Sequence, residues 1–381
     1  MPVLPTCRRW SVLAAVTVVV LSTFLAGSPA SAVRDRIRLA PTFNGGVYSV
    51  AHHGNTVYVG GAFTSATVGH RSHPRKGLAA FDARTGALLP WAPAADGAVR
   101  ALVYADDSVF AAGDFHTVSG QKRDSLVRLH AGTGAVRSFA HTVSGTTYAL
   151  AAGHGRLYLG GSFTDVDGRK RANTAAFSLA TGALDYGWRP IADDTVHAIA
   201  VTGRRVYLGG GFHTVDAVKG TLRLAAVHAV TGVVDPGFRA KLPAEVRAIA
   251  VDRAGVYVAT AGVGGRAIAF NTAGVLRWQR VFDGDAAAIA VMDGVTYVGG
   301  HFDSACLTSK NGIHGVCTDG SEPRLKLAAI GSTGQLGSWR PAANGVIGAR
   351  VLSVNRSTGT LYVGGDFTTI GGVGRSRFAA F

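Results

Sequence analysis

Glutamate, methionine and cysteine are scarce in this chain of 381 residues. Glu245 and Glu322 are the two glutamates, and Met292 is the only methionine after the initiator. Because Glu and Met favour helices whereas Val and Thr favour strands, long helices are not expected. The 52 glycines indicate places where neighbouring backbones approach closely. The composition therefore predicts an all-β fold.

Residues 1–32 have the features of a secretory signal peptide. Two arginines at positions 8 and 9 precede a largely apolar run at 13–25, and small residues at 30–32 form a cleavage site. The run is too short for a stable membrane anchor, and no second one follows. We therefore expect no transmembrane segment after cleavage.

Cysteine usage fits an exported chain. Of three cysteines, Cys7 would leave with the signal peptide. The remaining pair, Cys306 and Cys317, predicts a disulfide in an oxidising compartment. Two free thiols are the alternative.

Familiar catalytic motifs do not stand out. We find no HExxH helix, GxSxG turn, phosphate-binding loop or GxGxxG segment after a strand. Residues 165–168 resemble the start of a calcium loop but lack its downstream glutamate. These observations favour a non-catalytic protein and leave its enzymatic status open.

A segment resembling Tyr-Val-Gly-Gly-x-Phe occurs seven times, mostly at intervals of about fifty residues. Most copies are followed by short apolar runs and a Thr-Gly turn, and often by Trp-x-Pro. A period of this length made of short strands predicts a β-propeller with seven four-stranded blades, a single domain over residues 33–381. The copies begin at Tyr58, Phe110, Tyr158, Tyr207, Tyr257, Tyr297 and Tyr362.

The two ends of the predicted domain complement each other. The last repeat stops at Phe381, after its third strand, so its outer strand is missing. Residues 39–41 precede Val47 by the spacing that residues 91–93 have before Val99. We therefore predict that residues 33–41 form the missing outer strand of the last blade and close the ring.

Two repeats depart from the pattern. The fifth lacks the long turn after its second strand, and the sixth carries an insertion at residues 304–322 that holds both Cys306 and Cys317. Insertions in repeat proteins form loops on one face, often the binding face. The insertion is thus a candidate specificity loop, and a loop without any partner is the alternative.

Basic turns follow the second strand in several repeats. At one blade position they would form a ring of positive charge that attracts a polyanion. The alternative is solvated turns paired with acids such as Asp96 and Asp193. Without interleaved aromatic residues, sequence-specific nucleic-acid binding is not expected. The basic residues are Arg75, Lys76, Lys122, Arg123, Arg169, Lys170, Arg171, Lys219, Arg375 and Arg377.

The residue between Gly-Gly and Phe, which we call the slot residue, differs among the repeats. It is expected near the same face as the basic turns. Asp114, His301 and Asp366 are candidates there for ligand binding, and a His–Asp cluster would suit a metal or acid–base chemistry. Ordinary polar surface residues are the alternative, and the metal content stays open. The slot residues are Ala62, Asp114, Ser162, Gly211, Ala261, His301 and Asp366.

Residues 361–368, with the sequence Leu-Tyr-Val-Gly-Gly-Asp-Phe-Thr, resemble the delta-60-type repeats of secreted bacterial propellers. The resemblance covers nearly all of the mature chain and implies a seven-bladed ring without a settled activity. The Arg-, Ala- and Gly-rich composition is similar to that of actinobacterial proteins.

A second, distant similarity concerns quinoprotein propellers. The spacing from Asp82 to Trp91 resembles their tryptophan-docking motif, but Trp91 lies one residue further from Gly86. Adjacent cysteines are absent and no calcium-binding set can be assigned, so the similarity implies shared blade packing. We expect no cofactor, and calcium or quinone stays open.

Together these features predict a secreted or cell-wall-associated monomer that acts as a non-catalytic binding or scaffold protein. Its expected partner is an anionic cell-wall polymer or a polysaccharide. The alternative is an enzyme with its site in the central funnel, either a quinoprotein-like dehydrogenase or a carbohydrate-active lyase or hydrolase, since the fold alone does not decide. The candidate ligand-binding residues are Asp114, Lys122, Arg123, Arg169, Lys170, Arg171, His301 and Asp366.

Overall fold

The computed structural model describes residues 1–2, 33–240, 242, 244–262 and 264–381. Apart from its first two residues, the predicted signal peptide lies outside the described residues. Within the described ranges, the regular structure consists of β-strands and one short 3-10 helix, Ile313–Gly315. The prediction of an all-β fold is confirmed. No helix in these ranges is long and apolar enough to cross a membrane.

Each repeat forms an antiparallel sheet whose second strand lies between the first and the third. We number these sheets one to seven in chain order. Their strands are Val47–His53, Thr56–Gly61 and Leu78–Asp82 in sheet one; Val99–Ala105, Ser108–Gly113 and Leu126–His130 in sheet two; Val143–Gly153, Arg156–Val166 and Thr174–Ser178 in sheet three; Val196–Thr202, Arg205–Gly210 and Leu224–His228 in sheet four; Val246–Asp252, Gly255–Thr260, Arg266–Phe270 and Leu276–Val281 in sheet five; Ala286–Met292, Val295–Gly300 and Leu327–Ile330 in sheet six; and Ala349–Asn355, Thr360–Gly365 and Phe378–Ala380 in sheet seven.

Short hairpins extend the connection from the second to the third strand in most sheets. In sheet six this hairpin carries the insertion, and a disulfide joins Cys306, at the end of the first hairpin strand, to Cys317, as predicted. The hairpin strands are Ser65–Val68 with Arg71–Pro74, which Thr42–Phe43 joins; Thr117–Val118 with Gln121–Lys122; Arg169–Lys170 with the end of Arg156–Val166; Ser304–Cys306 with Ser321–Pro323; and Thr369–Ile370 with Val373–Gly374.

The outer strands differ from the prediction of four-stranded blades. Only sheet five has a full fourth strand among the described residues, Leu276–Val281. In sheet one the outer segment makes a single bridge, between Phe81 and Leu88. The segment then turns away because Trp91, 1% exposed, packs into the next sheet and donates its indole N–H to the carbonyl of His130. Docking the tryptophan on a neighbour thus shortens the strand that carries it.

Most neighbouring sheets meet through a glycine on the second strand, and the core lies between them. Ala112 in sheet two and Ala259 in sheet five take the place of this glycine. A Cβ atom at Gly160 would lie 2.7 Å from Val196 in the next sheet, so only glycine permits this approach. Sheet seven contacts sheet one in the same way, because a Cβ at Gly364 would lie 2.6 Å from Val47. First strands that follow one another in the chain also contact each other, as do those of sheets seven and one.

Residues 33–41 lie along the outside of sheet seven. The backbone N–H of Arg38 donates to the carbonyl of Ala380 at 2.7 Å, but the segment forms no regular strand, so it pairs less than predicted. The Arg375 guanidinium donates to the carbonyl of Ala40 at 2.6 Å. In sheet one, Arg75 makes a similar bond to Leu89 of that sheet's own outer segment, and the Leu89 N–H donates to Ala80 as the Arg38 N–H does to Ala380. Residues 33–41 therefore occupy the position of an outer segment.

The turn at Gly86 allows this seating to be tested. Gly86 has φ +71°, and a Cβ there would lie 2.9 Å from the carbonyl carbon of Leu39. We expect Gly86→Ala to lower the free energy of unfolding by about 2–4 kcal/mol, through backbone strain and displacement of residues 39–40. Gly54→Ala is the matched control, because Gly54 has φ +54° and open space around it. Its expected cost is about 1 kcal/mol. Equal losses in denaturant unfolding would contradict the seating.

Candidate functional site

A β-bulge interrupts the first strand of every sheet, near its start in six sheets and in the middle of the longer strand of sheet three. In sheet one the pairing shifts between Val47 and Ser49, which leaves Tyr48 without a partner on the second strand. The second glycine of the Gly-Gly pair permits the bulge in most sheets, since a Cβ at Gly161 would lie 2.1 Å from the carbonyl oxygen of Thr146. Bulges redirect side chains and are common beside functional sites.

The bulged residues of the seven sheets line one cavity of about 670 Å³, together with Ala98, Asp285, His301 and Ile347. The cavity lies where the starts of the first strands meet. We call the seven residues the bulge ring and the cavity the channel mouth. The bulge ring consists of Tyr48, Arg100, Tyr148, His197, Arg247, Ala287 and Arg350.

Two groups in the ring have the same construction. The Arg100 Nε donates to the Asp114 carboxylate at 2.8–2.9 Å, and its guanidinium lies 5.5 Å from the ring centre of Tyr148 in the next sheet. Arg350 likewise pairs with Asp366 and lies 5.5 Å from the ring centre of Tyr48. Charge-assisted hydrogen bonds and cation–π contacts fix both arginines. These groups join sheet two to three and sheet seven to one.

A third group surrounds His197. Its ring centre lies 5.2 Å from that of Tyr148, and its Nε2 contacts the carboxylate of Glu245, which also pairs with Arg247 at 3.2 Å. Burial lowers the pKa of His197, and the charge of Arg247 lowers it further, against the opposing effect of Glu245. The imidazole is therefore neutral at neutral pH.

The charges in the channel mouth nearly cancel. Three arginines of the ring each pair with a carboxylate, from Asp114, Glu245 or Asp366. Asp285 adds a fourth carboxylate, and its Oδ1 accepts the backbone N–H of Gly262 at 2.7 Å. The mouth therefore offers many hydrogen-bonding groups without a strong net charge.

The predicted slot residues lie at this mouth. Asp114 and Asp366 hold ring arginines, and His301 lines the cavity. The predicted His–Asp cluster is not formed between His301 and Asp366, because Asp366 pairs with Arg350 and Arg377. Across the part of the chain that the structure describes, no group of three His, Cys, Asp or Glu residues is placed to hold a metal ion.

The predicted basic residues divide into two kinds. Arg171 is 7% exposed, and its guanidinium donates to the carbonyls of Lys170 and Asp185 at 2.9 and 3.4 Å. Arg123 likewise donates to the carbonyl of Lys122 at 2.6 Å. The guanidinium groups of these two arginines are thus held by backbone carbonyl groups at the hairpins. Five members of the predicted set are exposed: Lys76, Lys122, Arg169, Lys170 and Lys219. Lys170 lines a separate cavity of about 550 Å³ with Arg171.

The aspartates in the links between sheets do not pair with these cations. Asp96 accepts the backbone N–H groups of His116 and Thr117, and Asp193 those of His213 and Thr214. Burial opposes ionisation of Asp96, but the hydrogen bonds outweigh it and lower its pKa. The carboxylates thus cap hairpins.

Sequence reasoning missed the bulge ring. Its members occupy one repeat position, where the residue type changes while its neighbours stay small or apolar. This is the second residue of the first strand except in sheet three, whose first strand starts earlier, at Val143. In sheets one and two, for example, Tyr48 and Arg100 each follow a valine. Variation at one position within a constant frame was the available signal. The register shift that redirects these side chains is not visible in the sequence.

The environment of His197 makes its titration measurable. In NMR titrations we expect a midpoint below the ordinary value of 6.5. Because the folded chain binds this proton less tightly than the unfolded chain, stability should fall as the pH decreases below about 6.5. Arg247→Gln should raise the midpoint by removing a nearby positive charge. An identical midpoint in the variant would contradict this assignment.

Comparison with known proteins identifies the architecture. No curated protein matches the chain. The model of a family described as "Domain of unknown function (DUF5122) beta-propeller" matches residues 356–379, in sheet seven. The WD40 beta propeller domain of Doa1 is 11% identical over 90% of this chain and 95% of its own, with a TM-score of 0.55.

Two further solved structures are similar. The computationally designed Ika8 protein is 15% identical over 91% of this chain and 99% of its own, with a TM-score of 0.52. BamB from Moraxella catarrhalis is 18% identical over 88% and 82%, with a TM-score of 0.47. Likeness at such identities concerns the fold alone. The chain has a β-propeller fold.

Proposed function

We propose that the seven sheets are the blades of one closed propeller over residues 33–381. The support comes from sheets seven and one, which meet through the same glycine–valine contact as sheets three and four, here Gly364 with Val47. Leu39 and Ala40 also lie against Gly86 of sheet one, where an outer segment of a preceding blade belongs. A closed ring removes the exposed sheet edges that would otherwise favour aggregation.

We further propose that the protein is an exported, non-catalytic binding protein or scaffold that binds a carbohydrate polymer at the channel mouth. The observation that carries the proposal is the bulge ring, whose seven side chains converge on one cavity of about 670 Å³. A cavity of this size suits a small ligand or a short stretch of a polymer. The hydroxyl groups of Tyr48 and Tyr148 make no hydrogen bond to a described residue, which leaves them available for sugar hydroxyls.

The charge balance favours an uncharged saccharide over the anionic polymer. An anionic ligand would need unpaired cations, whereas Arg100, Arg247 and Arg350 are each held by a carboxylate. Paired arginines still have free N–H groups that donate to neutral oxygens. The exposed Lys122, Arg169 and Lys170 lie on hairpins outside the mouth.

The proposal places the protein outside the cell as a monomer and requires no cofactor. The predicted signal peptide and the Cys306–Cys317 disulfide support export. Among the described residues, no observation favours the enzyme alternative.

Binding to immobilised cell-wall polysaccharides tests the proposal. We expect Tyr148→Ala to weaken retention by at least about tenfold, because it removes a ring hydroxyl and the contacts that orient Arg100 and His197. Tyr186→Ala is the matched control, since Tyr186 lies outside the mouth and contacts Arg171 in a comparable cation–π arrangement at 5.7 Å. It should bind like the wild type.

Salt separates the two classes of polymer. Retention of the protein on a neutral saccharide should change by no more than about twofold between 50 and 500 mM salt. Its binding to a polyanion should instead fall steeply over the same range. Salt-sensitive retention that Tyr148→Ala leaves intact would contradict the channel mouth as the site. It would support the exposed basic hairpins instead.

A further inference from the structure

We propose that sheet six forms a notch in the bulge ring, and that this notch is the subsite that selects one sugar unit of the ligand. The notch is defined by Ala287, His301, Asp285 and Ile347. The inference rests on the proposed carbohydrate binding at the channel mouth and names the part of that site that gives specificity.

The first observation is a break in the ring. Six of the bulged residues are large and polar or aromatic, and the seventh, Ala287, ends at its Cβ atom. The first strand of sheet six has the same bulge, with a register shift between Ala286 and Ala288. The backbone therefore presents residue 287 as it presents Tyr48 or Tyr148, but without a side chain to fill the sector.

The second observation concerns the slot at the end of each second strand. In sheets two and seven the slot holds an aspartate, and it pairs with the bulged arginine of its own sheet. Sheet six has His301 in the slot and Ala287 at the bulge. Consequently the His301 side chain has nothing to pair with on its own sheet. It is exposed in the cavity and makes no hydrogen bond or ion pair with another described residue.

The remaining walls suit a sugar ring. Asp285 uses Oδ1 to accept the N–H of Gly262, and no described donor occupies Oδ2. A carboxylate oxygen and an imidazole together accept and donate hydrogen bonds to neighbouring hydroxyls. Ala287 and the 40% exposed Ile347 offer an apolar surface to the C–H groups of the ring. This combination predicts an uncharged hydroxylated ring as the occupant.

The notch can be filled with side chains that other sheets of this protein already carry at the same position. Ala287→Tyr places at this bulge the residue that sheets one and three already carry. Ala287→Arg with His301→Asp recreates the Arg–Asp pair of sheets two and seven. Both variants should therefore fold like the wild type, as judged by circular dichroism and melting temperature.

The test measures binding of the polysaccharide that the wild type retains, and of its short oligosaccharides, by isothermal titration calorimetry. We expect each filled variant to weaken binding by at least about tenfold, since the sugar ring is excluded. His301→Ala should weaken binding several-fold, and His301→Gln should recover part of the loss because it keeps a hydrogen-bonding group.

The outcomes separate the two proposals. If folded Ala287→Tyr and the double variant bind like the wild type while Tyr148→Ala does not, the notch is overturned and the channel mouth stands. If the filled variants lose binding and Tyr186→Ala keeps it, the notch is supported. If the wild type retains no saccharide, both proposals are overturned.

Discussion

The close contact between a glycine on one sheet and the first strand of the next governs this architecture. A Cβ atom at Gly60 would lie 2.7 Å from Val99, and one at Gly209 would lie 2.5 Å from Val246. Removing the Cβ lets each valine enter the preceding sheet, which brings the first strands together. Sheets two and five carry Ala112 and Ala259 instead of the glycine. The partner of Ala259 in sheet six is Ala286 instead of a valine, and both lie in one buried cluster. At this junction a larger residue on the second strand faces a smaller one on the next first strand, as close packing requires.

The candidate site follows from the same geometry. Because the first strands converge, one bulge in each is enough to direct seven side chains into a shared cavity. Ion pairs and ring contacts then link neighbouring sheets at the channel mouth. These contacts hold in place the side chains that a ligand would meet. Away from the mouth, tryptophans such as Trp188 dock on the following sheet through their indole N–H. Rigid packing on the outside and variable side chains at the mouth suit a binding role.

The strands and turns of the sheets could largely be predicted from the sequence, because the residue patterns that specify them are local. Each predicted copy of the repeated segment lies on the second strand of a sheet, as the copy that begins at Tyr158 lies on Arg156–Val166. The Asp82 carboxylate caps the amides of Arg84 and Thr85 in the predicted turn. The bulge ring and the short outer strands could not be predicted in this way. Both depend on register and on docking between sheets, which the repeat period does not encode. The hydrogen bonds of the buried Arg171 to backbone carbonyls could not be predicted either, because the sequence does not show whether an arginine is buried or exposed.

The most direct test of the account is a double-mutant cycle at the junction of sheets seven and one. Gly364→Ala should lower the free energy of unfolding by about 1–3 kcal/mol through overpacking. Val47→Ala should also cost stability alone, but in the double variant it should relieve the closest clash of the new methyl group, with Val47 at 2.6 Å, while Val351 of the same sheet stays at 2.7 Å. The account predicts that the double variant loses less than the sum of the single losses, by at least about 1 kcal/mol. Additive losses would contradict the contact and, with it, the proposed closure of the ring.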